Sequence, residues 1–276
     1  MALPETLALF GVTPADQLAT LDCTVLQPDG AHSARVLSRS GGPALVSCLM
    51  TTSGQRASIR CALECYRRQL YQHRELVIVT YRDRVRAVED VVAELGIAAA
   101  SVHGVGRDLA LGEMRNVSVG RARGEIVIQW DDDDLYDPAR ISVAGALLTQ
   151  TTAAATLLWR VLLWWPEREM AAISVKRLWE PTVAYWRDHA PVYPSLNREE
   201  DTRSVAFVAS TRPVVGCDQP LSYIYVVHGR NTCETEHFEG HFEQASCVLR
   251  GEAYAELLDM LAARMPVRDY RGREDL

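Results

Sequence analysis

The sequence predicts an α/β fold in which a mostly parallel sheet is flanked by helices, followed by a smaller β-containing portion. Three observations carry that expectation. Strand-like and helix-like stretches alternate from Ala44 to Trp130, the pattern from which right-handed βαβ units build a parallel sheet. The 276 residues are 48% hydrophobic, ample for a sizeable core in one large domain or two closely packed subdomains. Four consecutive aspartates, Asp131 to Asp134, directly follow the apolar run Ile126-Val127-Ile128-Gln129-Trp130. In open α/β sheets, ligands gather beyond the carboxyl ends of the strands.

Taken in order, residues 1–42 contain Cys23-Thr24-Val25-Leu26 and Ala34-Arg35-Val36-Leu37 on either side of Pro28-Asp29-Gly30, an N-terminal hairpin extension. Ser40-Gly41-Gly42-Pro43 then punctuates the chain. Ala44 to Met50 is a continuous apolar strand, followed by the polar turn Thr51-Thr52-Ser53-Gly54 and a helix from about Ala57 to Gln72. Leu76 to Val79 is a second buried strand, Arg84 to Leu95 a helix stopped by Gly96, Ala98 to His103 a third strand, and Gly112 to Ala122 a helix stopped by Gly124. The strand before the aspartates closes this half, residues 43–138. In residues 139–250 the pattern changes. A helix from about Ala139 to Gln150 leads to two β-rich runs, Leu157 to Trp165 and Met170 to Lys176, joined as a hairpin through Pro166-Glu167-Arg168-Glu169. Pro181, Pro191 and Pro194 break the chain around exposed aromatic material that includes Trp179, Tyr185, Trp186 and Tyr193. Trp159, Trp164 and Trp165 read as core or subunit-contact residues. Residues 251–276 form a helix and a charged tail, frayed from Val267 onward.

The formal charge of −7 argues against a general nucleic-acid binder, which shows a basic face. Glu5, Asp16 and Asp22 interrupt the first stretch, so no secretory leader is expected, and Ala153 to Pro166, the most apolar window, contains Arg160 and is too short to span a bilayer. A cytoplasmic protein without a transmembrane segment is the expectation. The seven cysteines are odd in number and lack paired metal-ligand spacing, which fits reduced thiols. Cys61 and Cys65, four apart on a helix, read as small core residues of one face.

Adjacent like charges repel, and a fold tolerates such a cluster when it is solvated or when a cation neutralises it. The four aspartates therefore read as a divalent-metal site gripping a phosphate-bearing ligand, or as a solvated acidic turn capping the helix after Pro138. Alternation along an extended chain would place Asp131 and Asp133 on one face and Asp132 and Asp134 on the other, one pair facing the ligand and the other bracing the turn. Hard oxygen ligands in small number suit Mg²⁺ or Mn²⁺. A second acidic motif, Glu199-Glu200-Asp201, follows the proline-rich loop; it reads as a general base or as dipole compensation at a helix start. His228 lies between an apolar strand and Gly229, as a metal ligand or a structural histidine. His237 and His241, spaced four apart among glutamates, read as a solvated surface.

The segment that carries Arg115-Asn116 on a helix, then Ala122-Arg123-Gly124-Glu125, then the strand ending in Asp131 to Asp134 resembles the central part of family 2 glycosyltransferases with the GT-A fold. Those enzymes carry a similar arginine-asparagine pair, the same four-residue turn and a strand ending in a DxD-type motif. The likeness extends from the strand at Leu45 to about Phe242. It implies a GT-A, Rossmann-like fold and an inverting, metal-dependent hexosyl transfer from a nucleotide sugar, UDP-linked first of all. The acceptor would be a small molecule or carrier-bound, and the metal Mn²⁺ or Mg²⁺.

Residue by residue, the resemblance implies that Asp131 approaches the ribose or base with Asp132 beside it, and that Asp133 is the principal metal ligand with His228 as a nitrogen partner. Arg115 would meet the diphosphate with its forked guanidinium, or else sit in a structural ion pair, and Asn116 would flank the same pocket. Thr51 and Thr52 stand where the family contacts the nucleoside, without its proline-threonine-tyrosine-asparagine wording. Asp83 in Thr80-Tyr81-Arg82-Asp83 replaces the paired aspartates that read uracil. Asp201 becomes the general base with Glu200 on the acceptor side. Arg230 or Asn231 would reach the phosphates as the loop closes, and Trp179 and Glu180 would make an acceptor or donor contact. Two rival readings are a GT-A fold degenerated into a nucleotide- or metal-binding regulatory module and a sugar-nucleotide nucleotidyltransferase. The second lacks its glycine-rich basic N-terminal loop. Oligomeric state, sugar and acceptor are not encoded in any motif.

Overall fold

The computed structural model describes residues 23–33 and 43–271. The first strands are β1 (Cys23–Leu26) and β2 (His32–Ser33), which pair antiparallel across the Pro28-Asp29-Gly30 turn. The strand expected over Ala34 to Leu37 and the Ser40-Gly41-Gly42 punctuation lie outside the described residues. β1 also joins the main sheet, pairing antiparallel with a later strand from Cys23 opposite Cys217 to Leu26 opposite Val214.

The alternating half then runs β3 (Val46–Thr51), α1 (Arg56–Arg67), β4 (Arg74–Tyr81), α2 (Val85–Glu94), β5 (Ala100–Val105), α3 (Leu111–Arg121) and β6 (Ile126–Gln129). All four strands are parallel, in the order β6-β3-β4-β5. β3 and β6 are buried along their whole length and β4 at all but its two end residues, because helices cover both faces of such a sheet and leave no solvated side to alternate with. α1 ends earlier than its apolar pattern suggests. Gln69 is drawn away to donate to the Asp137 carbonyl at 2.7 Å and to accept from the Ile141 amide at 3.1 Å, while the Leu70 amide bonds the Pro138 carbonyl. The chain goes outward from β3 to β4 and β5, then returns to β6 on the other side of β3. That reversal leaves a crevice at the carboxyl ends of β3 and β6.

The second half is β7 (Leu135–Tyr136), α4 (Arg140–Gln150), β8 (Ala155–Leu158), β9 (Leu162–Trp165), β10 (Met170–Ile173), β11 (Trp179–Trp186), α5 (Glu200–Thr211), β12 (Val214–Cys217), β13 (Tyr223–Val226), α6 (Thr235–Glu243), β14 (Cys247–Leu249), α7 (Gly251–Ala262) and α8 (Val267–Arg271). Among the described residues the main sheet has nine strands in the order β2-β1-β12-β8-β11-β6-β3-β4-β5, and a second sheet has five, β14-β10-β9-β13-β7.

Three expectations are corrected here. The run Leu157 to Trp165 is not one arm of a hairpin: it divides at Trp159-Arg160-Val161 into β8 in the main sheet and β9 in the second, and β9 alone pairs with β10. Residues 179–193 are not an exposed aromatic break. Trp179 to Trp186 is a strand inside the main sheet, antiparallel to both β6 and β8, and Trp179, Tyr185 and Tyr193 are buried. Pro181 fits because the register with β8 shifts between Trp179 and Ala184, which releases the ladder bond that proline cannot donate. The charged C-terminus also holds structure as far as Arg271, with Val267 buried and the Tyr270 hydroxyl bonded to the Asp133 carbonyl at 3.0 Å. The last five residues lie outside the described region.

One buried cluster links both halves, from Val46 and Met50 in the parallel strands to Trp164, Tyr254 and Val267. Its aromatic centre is Trp130, stacked on Tyr136 at 3.8 Å between ring centroids and donating its indole N–H to the Ala62 carbonyl at 3.1 Å. Cys61 and Cys65 lie in this core, and all seven cysteines are free thiols. No helix among the described residues is long and apolar enough to cross a membrane. Trp130→Ala is expected to lower unfolding free energy by about 3–5 kcal/mol, the range for deleting a large buried aromatic. Urea denaturation checks this; a loss below about 1 kcal/mol would mean that the core closes over the cavity.

Candidate functional site

A cleft of about 1070 Å³ opens over the carboxyl ends of β3 and β6. The turn after β3, the aspartates after β6, the N-terminal face of α3, the start of β11, the loop before α5, the loop after β13 and one face of α6 all contribute to its walls. It brings together Thr51, Thr52, Arg115, Asp131, Asp132, Asp133, Trp179, Glu180, Glu200, Asp201, His228 and Arg230 of the residues expected from sequence, and leaves out Asp83 and Asn116.

The aspartates do not alternate between two faces. β6 ends at Gln129, the chain bends, and each carboxylate leaves in its own direction. Asp131 accepts from both terminal nitrogens of Arg115 at 3.2 Å and from the Gln129 amide at 2.9 Å. Asp132 accepts from the Thr52 hydroxyl, which ties the turn after β3 to the loop after β6. Asp133 faces His228 Nε2 at 3.1 Å. Asp134 alone is the brace: it is buried and accepts from the Tyr223 hydroxyl and, at 2.8 Å, from the Val226 amide. The Asp131 and Asp133 carbonyls are held in turn by the hydroxyls of Tyr136 and Tyr270, each at 3.0 Å. Just before the helix, the Asp137 carboxylate accepts from the Ala139 amide at 2.8 Å.

Burial and mutual repulsion leave this loop short of positive charge. Desolvation, with Asp133 as the next cause, pushes the Asp132 carboxyl up to about 8. Burial followed by Asp133 and Asp131 carries Asp134 well above the usual carboxylate range. Asp131 is also raised by burial, against the pull of Arg115.

Arg115 is ion-paired on two sides. Its guanidinium is buried, with Nε on Glu200 at 2.9 Å and its two terminal nitrogens on Asp131. Burial raises the Glu200 carboxyl and Arg115 opposes that shift. Asn116 turns away from the cleft, exchanging two 2.8 Å bonds with the Tyr193 backbone. Asp83 is exposed outside the cleft and paired with Arg107 at 2.5 Å, which holds its carboxyl below the usual range. Tyr81, two residues earlier, lines the cleft in its place with Arg107 over its ring at 4.6 Å.

Further contacts strap the loop that leads into α5 to α3. The Leu111 amide bonds Asn197 Oδ1 at 3.0 Å and the Gly112 amide bonds the Leu196 carbonyl at 2.9 Å. Gly112 permits the approach, since a β-carbon there would fall 1.9 Å from the Pro194 carbonyl oxygen. Asp201 sits in the first turn of α5, its carboxylate accepting from the Thr202 amide at 2.7 Å.

Across the cleft, His228 Nε2 lies 3.1 Å from Asp133 Oδ2 and 3.2 Å from Asn231 Nδ2, and the Arg230 amide meets Nδ1 at 3.2 Å. Arg230 reaches over to Gln55 Oε1 at 3.2 Å. Glu180 is paired with Arg177 at 2.8 Å, whose guanidinium lies 4.1 Å from the centroid of the buried Trp179 ring. Trp179 thus backs the wall and offers no open face for stacking. His237 and His241 are not simply a solvated surface; both line the cleft, and His241 meets Trp179 edge-on. Sequence reasoning missed Tyr81, Tyr136, Tyr223 and Tyr270, because a tyrosine that serves through its hydroxyl leaves no pattern distinct from one that only packs.

No protein-family model and no curated protein matches the sequence. Solved structures do match. S. aureus TarS 1–349 superposes with a TM-score of 0.53 at 17% identity, over 66% of this chain and 60% of that one. The mannosyltransferase PcManGT from Pyrobaculum calidifontis, in complex with GDP-Man and Mn²⁺, gives 0.55 at 16% identity over 76% and 66%. Both are glycosyltransferases built on the GT-A framework. The chain has the GT-A fold. A third match, TarS 1–349 in complex with UDP-GlcNAc, covers 79% of this chain and 65% of that one at 15% identity, with a TM-score of 0.52. This chain therefore spans under two thirds of these two TarS chains and about two thirds of PcManGT. A shared fold at such identities carries architecture and leaves chemistry to the site.

Glu200→Ala should destabilise the protein by about 3 kcal/mol or more, because it strands one side of a buried guanidinium. Chemical denaturation measures this, and an unchanged midpoint would show that Asp131 alone satisfies Arg115.

Proposed function

We propose that this GT-A fold transfers a sugar from a nucleotide-sugar donor to an acceptor hydroxyl with inversion at the anomeric carbon. The observation that supports the reading is the convergence, in one cleft at the reversal point of the sheet, of the Thr52–Asp132 bond, the Asp133–His228 pair and Asp201. The solved relatives bound to UDP, UDP-GlcNAc and GDP-Man support a nucleotide-sugar donor for this cleft too. We take a UDP-sugar as the first donor to test. The nucleoside would lie against Thr51, Thr52 and Tyr81, with Asp131 and Asp132 on its ribose side.

A divalent cation fits the donor set. Among the described residues no three His, Cys, Asp or Glu side chains form a ready cage. Mg²⁺ and Mn²⁺ use few protein ligands and complete their shells with water and phosphate oxygens. The raised carboxyls of Asp131, Asp132 and Asp134 mark charge that such an ion would relieve. Asp133 and His228 would hold it, and it would supply neutralisation of the diphosphate as negative charge builds there.

The chain's own groups do the rest. With Arg115 committed to its carboxylates, Arg230 is the cation for the phosphates, on a loop that already bridges to Gln55. Asp201 accepts the proton of the acceptor hydroxyl while that oxygen forms its bond to the anomeric carbon. On the opposite face the bond from that carbon to the diphosphate oxygen breaks, its electrons leaving with the nucleoside diphosphate. The acidic lining from Glu199 to Asp201 and at Glu234 and Glu236 suits a neutral small-molecule acceptor better than an anionic one.

Calorimetry and thermal shift against UDP, GDP and their sugars, with and without Mn²⁺ or Mg²⁺, test the donor site. One nucleotide should stabilise the fold in a metal-dependent way, by about 2.7 kcal/mol at a hundredfold excess over Kd. Asp133→Ala should abolish the metal dependence and Asp83→Ala should leave binding unchanged. Failure of every nucleotide under every metal condition would overturn the transferase reading. Asp201→Asn should keep donor binding and lose roughly 10²–10⁴ in turnover with any acceptor found; wild-type turnover would remove Asp201 from the mechanism.

A further inference from the structure

We propose that His237 and His241 form a second metal site in the cleft, selective for a borderline transition ion such as Zn²⁺ or Co²⁺ and separate from the carboxylate site. The inference stands on side-chain geometry and not on the transferase reading. α6 is two-faced: Phe238 and Phe242 are buried in the core, and the two histidines, one turn apart, lie along the cleft. Their Nε2 atoms are 3.1 Å apart, with ring centroids at 4.4 Å and planes crossing at 73°. Two imidazole nitrogens bound to one ion at about 2.0–2.1 Å each, at tetrahedral or right angles, stand roughly 2.9–3.4 Å from one another. The observed separation falls inside that span, so small ring rotations suffice.

His241 is fixed from behind by the edge of Trp179 at 5.1 Å. The nearby cation, Arg177, is occupied by Glu180 at 2.8 Å. As a hydrogen-bonded pair, one ring donates Nε2–H to the other. Metal binding needs only the shift of that proton to Nδ1 of the same ring, with no net release. Imidazole favours Zn²⁺, Co²⁺ and Ni²⁺ over Mg²⁺, whereas the aspartates favour the hard ion. With two protein ligands the remaining positions belong to water or to an oxygen of whatever enters this end of the cleft.

The test titrates Co²⁺, then Zn²⁺, into the intact protein with millimolar Mg²⁺ present to occupy the carboxylate site, reading heat and the visible absorption of bound Co²⁺. Wild type should take up one equivalent that is lost in His237→Asn and in His241→Asn and kept in Asp133→Asn. Because His237 is exposed, His237→Asn should fold as wild type by circular dichroism and decides the matter if His241→Asn does not. Absence of Co²⁺ binding by wild type, or an equivalent that survives His237→Asn, overturns the proposal. So does an equivalent lost only in Cys233→Ser, since that cleft thiol would then be the ligand.

Discussion

A guanidinium held between Asp131, at the end of one half of the sheet, and Glu200, at the start of α5 in the other, is the contact on which the site depends. A charge so buried is costly unless opposite charges meet it from fixed positions. Meeting that requirement sets where α5 begins relative to β6. The Asn116–Tyr193 and Asn197–Leu111 bonds follow the same seam, so α3 acts as a rail along which the Asp201 loop is aligned. The motif that resembles a donor-binding helix is thereby the joint between the two walls of the cleft.

The parallel half was legible because β3, β4 and β6 are apolar and buried over most of their length and α1 and α2 each carry an apolar stripe. From Ala44 to Trp130, local pattern and tertiary surroundings demand the same thing. After Pro138 they part. Trp179 to Trp186 contains Pro181 and so reads as a break, yet a register shift accommodates the proline inside the sheet. Leu157 to Trp165 reads as one strand because both of its pieces are buried, although they serve different sheets. Periodicity reports burial and does not say which neighbour provides it.

The site was readable where chemistry and strand ends coincide: Thr52, Asp133, Asp201 and His228 all reach the cleft. It was unreadable where the role is set by partners distant in the chain. Asp83 is diverted by Arg107, 24 residues away, and Arg115 by Glu200, 85 residues away. Tyr270, from the charged end of the chain, holds the Asp133 carbonyl across 137 residues. None of these separations has a local signature.

The stack of Trp130 on Tyr136 brackets the four aspartates, since one ring precedes the run and the other follows it by a single residue. The two ends of that loop are therefore joined by an aromatic contact inside the core, and the Tyr136 hydroxyl returns to the Asp131 carbonyl. A loop with its ends so fixed has little freedom left to lose when a ligand arrives. The ordering cost of binding then falls on the opposite wall, between Val227 and Glu234, where glycine and polar residues predominate. Selectivity among ligands of similar charge would then be decided by how well each one settles against that opposite wall.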